Sequence, residues 1–132
     1  MLTYLNPPEL GDTSAFGVSH GVATDSLVFV SGLALDTQTM KLRTDAETVA
    51  DEVNICWNNI GVQLAMVGLT IADVVKTTCY LSSEQDRGEF IQADRAALAP
   101  WGPFPARETF VLGIASNLRV LIEAVAIRPE HS

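Results

Sequence analysis

Residues 117–128 read Asn117-Leu118-Arg119-Val120-Leu121-Ile122-Glu123-Ala124-Val125-Ala126-Ile127-Arg128. In an extended chain, alternation sends Leu118, Val120, Ile122, Ala124 and Ala126 to one side and Arg119, Leu121, Glu123, Val125 and Ile127 to the other. Both sides are largely apolar, the pattern of a strand that is covered on two faces. The rest of the chain must supply those covers.

Working outward, further strand signals lie at about Gly17 to Ala23, Ser26 to Ser31, Val74 to Leu81 and Arg107 to Leu112. Between Leu35 and Leu42 the pattern is a loop leading into a short edge strand. Ala46, Val49, Ala50, Val53, Cys56, Trp57, Ile60, Leu64 and Val67 follow the three-and-four spacing of an amphipathic helix. Thr44 and Glu47 have the spacing of a capping box at its start, and Gly68 suits its stop. A second helix is expected from about Glu84 to Leu98, capped by Ser82 or Ser83, with Phe90, Ala93, Ala97 and Leu98 inward and Pro100 ending it. The expected fold is α+β, a mixed six-stranded sheet with two helices on one face. Two helices cover one face only. The other face is left to partner subunits in a closed homo-oligomer with ligand sites at its clefts, or to the chain's own loops.

At 132 residues the chain suits a single domain spanning 1–132, long enough to bury a core. A net charge of −8, with eight Lys and Arg scattered along the chain, argues against binding nucleic acid, which needs clustered cations. Cys56 and Cys79 fall inside a helix and a strand pattern without ligand-like neighbours, so they read as core residues and no disulfide is expected. No charged start precedes an apolar core at the N-terminus, and no apolar run approaches the roughly 20 residues that span a bilayer. A cytoplasmic protein without membrane partners is the expectation.

Arg107 stands at the mouth of an apolar strand, directly after the loop Pro100-Trp101-Gly102-Pro103-Phe104-Pro105. Its guanidinium fork fits a carboxylate ligand, and equally it fits loop carbonyls or a surface acid. Other catalytic templates fail. His20 and His131 are the only histidines, Ser19 beside His20 cannot face it along a strand, and no His/Cys cluster has metal-ligand spacing. The glycines form neither a Walker nor a dinucleotide pattern. Trp57 belongs to the core stripe of the first helix, whereas Trp101 suits an interface or a pocket wall.

Four segments in this order, Val30-Ser31-Gly32, Asp73-Val74-Val75-Lys76-Thr77-Thr78, Pro105-Ala106-Arg107 and Ile122-Glu123-Ala124-Val125-Ala126, resemble the RidA/YjgF family over nearly the whole chain. The resemblance implies a fold like that of the Bacillus-type chorismate mutase, a homotrimer with clefts between subunits, and no cofactor. It also implies hydrolysis of reactive 2-enamino and 2-imino acids to 2-oxo acids and ammonia. Arg107 matches the family arginine that forks the substrate carboxylate. Ser31 and Gly32 match the strand-end pair lining the pocket, and Phe16 stands where tyrosine is usual.

Three positions depart from the deaminases that this chain resembles. Asp94 replaces a common asparagine, Thr109 a common cysteine, and Leu121 the glutamate that positions the hydrolytic water, two residues before Glu123. Glu123, Asp94 and Glu108 are the remaining proton carriers, and Glu123 shares a strand face with Leu121; it is equally suited to pair with Arg119 or Arg128. An unpaired Asp94 about 6 Å from a substrate carboxylate would oppose binding by roughly 3 kcal/mol, and pairing with Arg107 would remove much of that. The other reading of Asp94 is an exposed helical residue beside Arg95. The functions this leaves are a trimeric imine deaminase, a non-catalytic trimer binding small carboxylates and, disfavoured by the acidic composition, an RNA-directed activity.

Overall fold

The computed structural model describes residues 1–129, so His131 lies outside the described residues. In chain order the strands and helices are β1 (Thr3–Leu5), β2 (Gly21–Ala23), β3 (Leu27–Leu33), β4 (Leu35–Asp36), β5 (Lys41–Leu42), α1 (Val49–Ala65), β6 (Val74–Leu81), α2 (Arg87–Leu98), β7 (Ala106–Val111) and β8 (Val120–Ile127). Six strands form one sheet in the order β1-β2-β3-β8-β6-β7. Only the β6/β7 pair is parallel, as its connection through α2 requires. The expected mixed sheet with two helices on one face is the fold observed.

Two expectations need correction. The segment from Leu35 to Leu42 does not edge the main sheet; β4 and β5 pair with each other as a separate hairpin. Asp36 Oδ1 accepts from the Gln38 and Thr39 amides and Met40 takes φ 58°, so the chain turns back instead of running along a neighbour. The sixth strand is β1, whose Leu5 is fully buried. Three residues are too few for periodicity to reveal.

The cap of α1 is also displaced by one turn. Thr48 Oγ1 accepts from the Asp51 amide, while Asp51 Oδ2 accepts from the amides of Thr48 and Glu47. Arg43 pairs with Asp45 and its carbonyl accepts from the Ala46 amide, which holds the preceding residues as a turn. Ala46 therefore leaves the helix stripe and packs with Ala34 and Leu118 in a smaller cluster.

The main core lies between the helices and one sheet face. Val28 and Val30 of β3, Ile122 and Ala124 of β8, and Cys79 and Leu81 of β6 meet Val53, Cys56, Trp57, Ile60 and Leu64 of α1 and Phe90 and Leu98 of α2. Gly32 sits opposite Ile122 and permits the close approach of α1. A Cβ added there would lie 2.8 Å from the Cys56 Cα and nearer still to its carbonyl oxygen. Gln63 Nε2 donates to the Ser31 carbonyl at 2.7 Å, and Asn59 Nδ2 to the Leu33 carbonyl at 3.0 Å, so α1 is also tied to β3 through polar contacts. Both cysteines are free and buried; burial pushes the Cys79 thiol up to about 12 and the Cys56 thiol higher still.

The opposite face of the sheet is not covered by the chain's own described loops. Phe29, Phe110 and Ile127 are 45%, 50% and 47% exposed there. Tyr80 stacks on Phe110 with ring centroids 6.0 Å apart, which extends this apolar surface across β6 and β7.

Gly32→Ala should cost about 1–3 kcal/mol of stability, because backbone rather than a mobile side chain blocks the added methyl. Gly61→Ala, inside α1 with only Ile71 Cδ1 at 3.8 Å, should instead be neutral or stabilising by up to about 1 kcal/mol. Urea midpoints of the two variants check the contrast, and equal midpoints would refute the packing argument.

Candidate functional site

Arg107 projects from β7 on the same side of the sheet as the helices, since its register partner is the buried Thr77 of β6. There it meets α2. Arg107 Nη1 donates to Asp94 Oδ2 at 3.1 Å, and its guanidinium lies 5.6 Å from the Phe90 ring centroid. Asp94 is 1% exposed and Arg107 32% exposed, so the acid is enclosed while the base retains a path to the surface. The second Asp94 oxygen, Oδ1, accepts from Trp57 Nε1 at 2.7 Å. Asp94 is therefore not the exposed helical residue that its neighbour Arg95 had suggested.

Arg107, Asp94 and Thr77 line a cleft of about 290 Å³ together with Ile91, Arg95, Leu98 and Phe104. Its lining is mixed, with Ile91, Leu98, Phe104 and Pro105 beside Thr77, Asp94, Arg95 and Arg107, and Asp94 offsets one of its two arginines, so the balance stays positive. No other hydrogen bond ties Arg107 to the described residues; its Nε and Nη2 edge faces none of them as a donor. Thr109 lies on the same side of β7, level with Cys79, two residues farther along the strand.

The other expected site residues lie elsewhere. Phe16 and Ser31 share a cavity of about 210 Å³ with Val18, His20, Leu33 and Gln63. Gln63 Oε1 is buried without a partner among the described residues, and His20 Nε2 is within 2.9 Å of the Gly11 carbonyl oxygen. Gly32 faces α1. The two cavities share no residue, and β8 and β6 separate β3 from β7. Three strand spacings put about 14 Å between them. One chain thus brings Arg107 and Asp94 together, and Phe16 and Ser31 together, without joining the two pairs.

Glu123 is on the open sheet face, opposite to the side that Arg107 occupies. Register places Ser31, Glu123, Thr78 and Glu108 in one row across β3, β8, β6 and β7. Arg119 is committed to Glu52 and to the carbonyls of Ala46 and Glu47, and Arg128 to the Thr24 carbonyl, so neither arginine is its partner within the chain. Its neighbour is Tyr80, whose phenol the Glu123 carboxylate raises above the ordinary value by accepting a hydrogen bond and opposing a second negative charge. Leu121 lies level with Tyr80 on the same face.

Sequence reasoning missed the role of Trp57. A buried indole N–H needs an acceptor, and that requirement pointed to an acid on the facing helix. Arg95, Ile91 and Tyr80 carried no comparable signal, because only tertiary packing brings them to the cleft or to Glu123.

The family profile described as Endoribonuclease L-PSP matches residues 13–128. The chain belongs to the RidA/YjgF family. Among solved structures similar to it is Rv2704 of Mycobacterium tuberculosis, a member of the YjgF/YER057c/UK114 family, at 26% identity and a TM-score of 0.73 over 97% of this chain and 100% of that one. RidA from the Antarctic bacterium Psychrobacter is 23% identical with a TM-score of 0.79, covering 96% of this chain and 100% of its own. E. coli TdcF, solved with bound serine, is 22% identical with a TM-score of 0.75 and 96% coverage of both chains. No curated protein matches the chain. Among the described residues no group of three His, Cys, Asp or Glu side chains could hold a metal ion, and no helix is long and apolar enough to cross a membrane.

Glu123→Gln should lower the Tyr80 ionisation toward that of a free phenol, because the neutral amide no longer opposes the phenolate. Alkaline absorbance titration in a Tyr4→Phe background isolates Tyr80. An unmoved curve would show that Glu123 is not the cause.

Proposed function

We propose that this protein is a hydrolytic deaminase of reactive 2-imino and 2-enamino acids, or of a related small carboxylate, acting at clefts between the subunits of a homotrimer. The observation that carries the reading is the Nε and Nη2 edge of Arg107, free of partners among the described residues and partly open to the surface in a net positive cleft. Such a fork takes a carboxylate through two parallel hydrogen bonds. Phe16 and Ser31 lie too far from Arg107 in one chain for a ligand of amino-acid size to touch both sets. A second chain would unite them, and the apolar open face around Phe29, Phe110 and Ile127 offers it a surface to bury. The serine held by TdcF has the size and carboxylate that the proposed site requires.

In this scheme Arg107 clamps the carboxylate, Phe16 walls the side chain, and Ser31, Gly32 and Thr109 border the pocket from their strands. Water adds to the imine carbon, a proton passes to nitrogen, and the carbon–nitrogen bond breaks to release ammonia and a 2-oxo acid. We assign the proton transfers to Glu123 of a neighbouring subunit. It is exposed and without a cationic partner among the described residues, whereas both Asp94 oxygens are occupied. No cofactor or metal enters these steps.

The second reading, a trimer that binds a small carboxylate without turning it over, is favoured by Leu121. This side chain can neither activate water nor carry a proton, yet it occupies the position of the family's working glutamate. The RNA-directed activity suggested by the family profile's description fits poorly with a net charge of −8.

An amino-acid oxidase supplying 2-imino acids from small, branched and aromatic amino acids provides the assay. The wild type should accelerate imine loss, Arg107→Ala should abolish the effect without disturbing assembly, and Glu123→Gln should slow it by roughly a hundredfold or more. Carboxylate binding without acceleration would select the second reading. Light scattering should give about three times the chain mass of 14.2 kDa; a monomer at micromolar concentration would remove the shared-cleft scheme.

A further inference from the structure

Asp94 is the most enclosed charge near the cleft, and two donors converge on it from different elements. Trp57 Nε1 of α1 takes Oδ1, and Arg107 Nη1 of β7 takes Oδ2. Both are donors only, so each needs an acceptor of its own. An asparagine would offer one oxygen and turn its amide N–H groups toward the other donor. An acid at position 94 gives the indole of Trp57 and the guanidinium of Arg107 an oxygen each.

We propose that Asp94 is a positioning residue for Arg107, fixed in turn by Trp57, and that the three side chains act as one unit setting the cleft's preference for a coplanar carboxylate. With Nη1 bonded to Asp94 Oδ2 and its central carbon 5.6 Å from the Phe90 ring centroid, the guanidinium is restrained at one end. Its Nε and Nη2 edge is left presented outward, and a carboxylate lying in the guanidinium plane completes both bonds at once. The entropy of ordering a long arginine side chain is spent in folding instead of in binding. Asp94 also offsets part of the arginine's charge, and Arg95 at the rim keeps the cleft attractive to an anion. The inference rests on the carboxylate-binding reading of this cleft, and it concerns the alignment of Arg107, not the reaction.

The two effects of Asp94 have opposite signs, which makes them separable. If its charge merely repelled the ligand, Asp94→Asn would tighten binding. If it aligns Arg107, the same variant weakens binding despite the charge removed. Calorimetric titration with pyruvate as the probe should give about tenfold weaker affinity in Asp94→Asn. Adding Trp57→Phe removes the competing indole donor and lets the asparagine oxygen turn to Arg107, so the double variant should recover to within about threefold of wild type. Equal or tighter binding in Asp94→Asn, or no recovery in the double variant, would overturn the proposal.

A ligand-free arm distinguishes this from failure of the carboxylate reading itself. In isotope-labelled protein, Arg107→Ala should shift the Trp57 indole N–H resonance through Asp94, and Trp57→Phe should shift the Arg107 Nε–H resonance. If both move while pyruvate binds neither wild type nor variants, the positioning unit stands and the carboxylate reading falls. If neither moves, the unit does not exist.

Discussion

The approach of α1 to β3 at Gly32 is the constraint on which the site depends. With no side chain there, the Cys56 backbone settles onto the strand, and Gln63 and Asn59 bond the carbonyls on either side of it. Trp57 follows Cys56 directly, so the depth at which α1 sits decides where its indole N–H points. That N–H holds Asp94, and Asp94 holds Arg107. A glycine on one strand thereby governs an arginine three strands away. The other end of the helix is anchored by the buried Glu52, which accepts from the backbone and side chain of Arg119 just before β8.

Two buried acids, Glu52 and Asp94, stand in a core that is otherwise almost wholly apolar. Burying a carboxylate costs several kcal/mol unless charge and hydrogen bonds are returned to it. Each of these acids has an arginine and a further N–H donor, so the cost is offset in both places. The outcomes differ in exposure. Arg119 turns its remaining donors to the carbonyls of Ala46 and Glu47 and becomes a structural clamp. Arg107 keeps an edge without such partners among the described residues, and for that reason its surroundings, unlike those of Arg119, form a candidate binding site.

The sheet presents its chemistry on both faces. The helix side holds Arg107, Asp94 and Thr109, while the open side carries Ser31, Glu123 and Tyr80 beside exposed aromatic and aliphatic groups. A large exposed apolar patch rimmed by polar residues is a common feature of association surfaces. In the proposed assembly a neighbouring copy covers the patch and completes the divided site.

The alternation along Val120–Ile127 and the helical spacing through Trp57, Ile60 and Leu64 made the sheet, the helix layer and the uncovered face legible in the chain itself, since each follows from a local period. The place of Arg107 at the start of a strand, after a loop rich in proline, was legible as well. Short-range hydrogen bonds were not: Thr48 rather than Thr44 caps α1, and three residues at Thr3–Leu5 close the sheet, because a side chain's choice of acceptor and a three-residue pairing leave no periodic trace. Sequence by itself determined which residues carry charge and which faces are apolar. Tertiary structure alone decided that Asp94 would be buried between Trp57 and Arg107, since that depends on distances between elements far apart in the chain, and the low local dielectric makes those few contacts decisive.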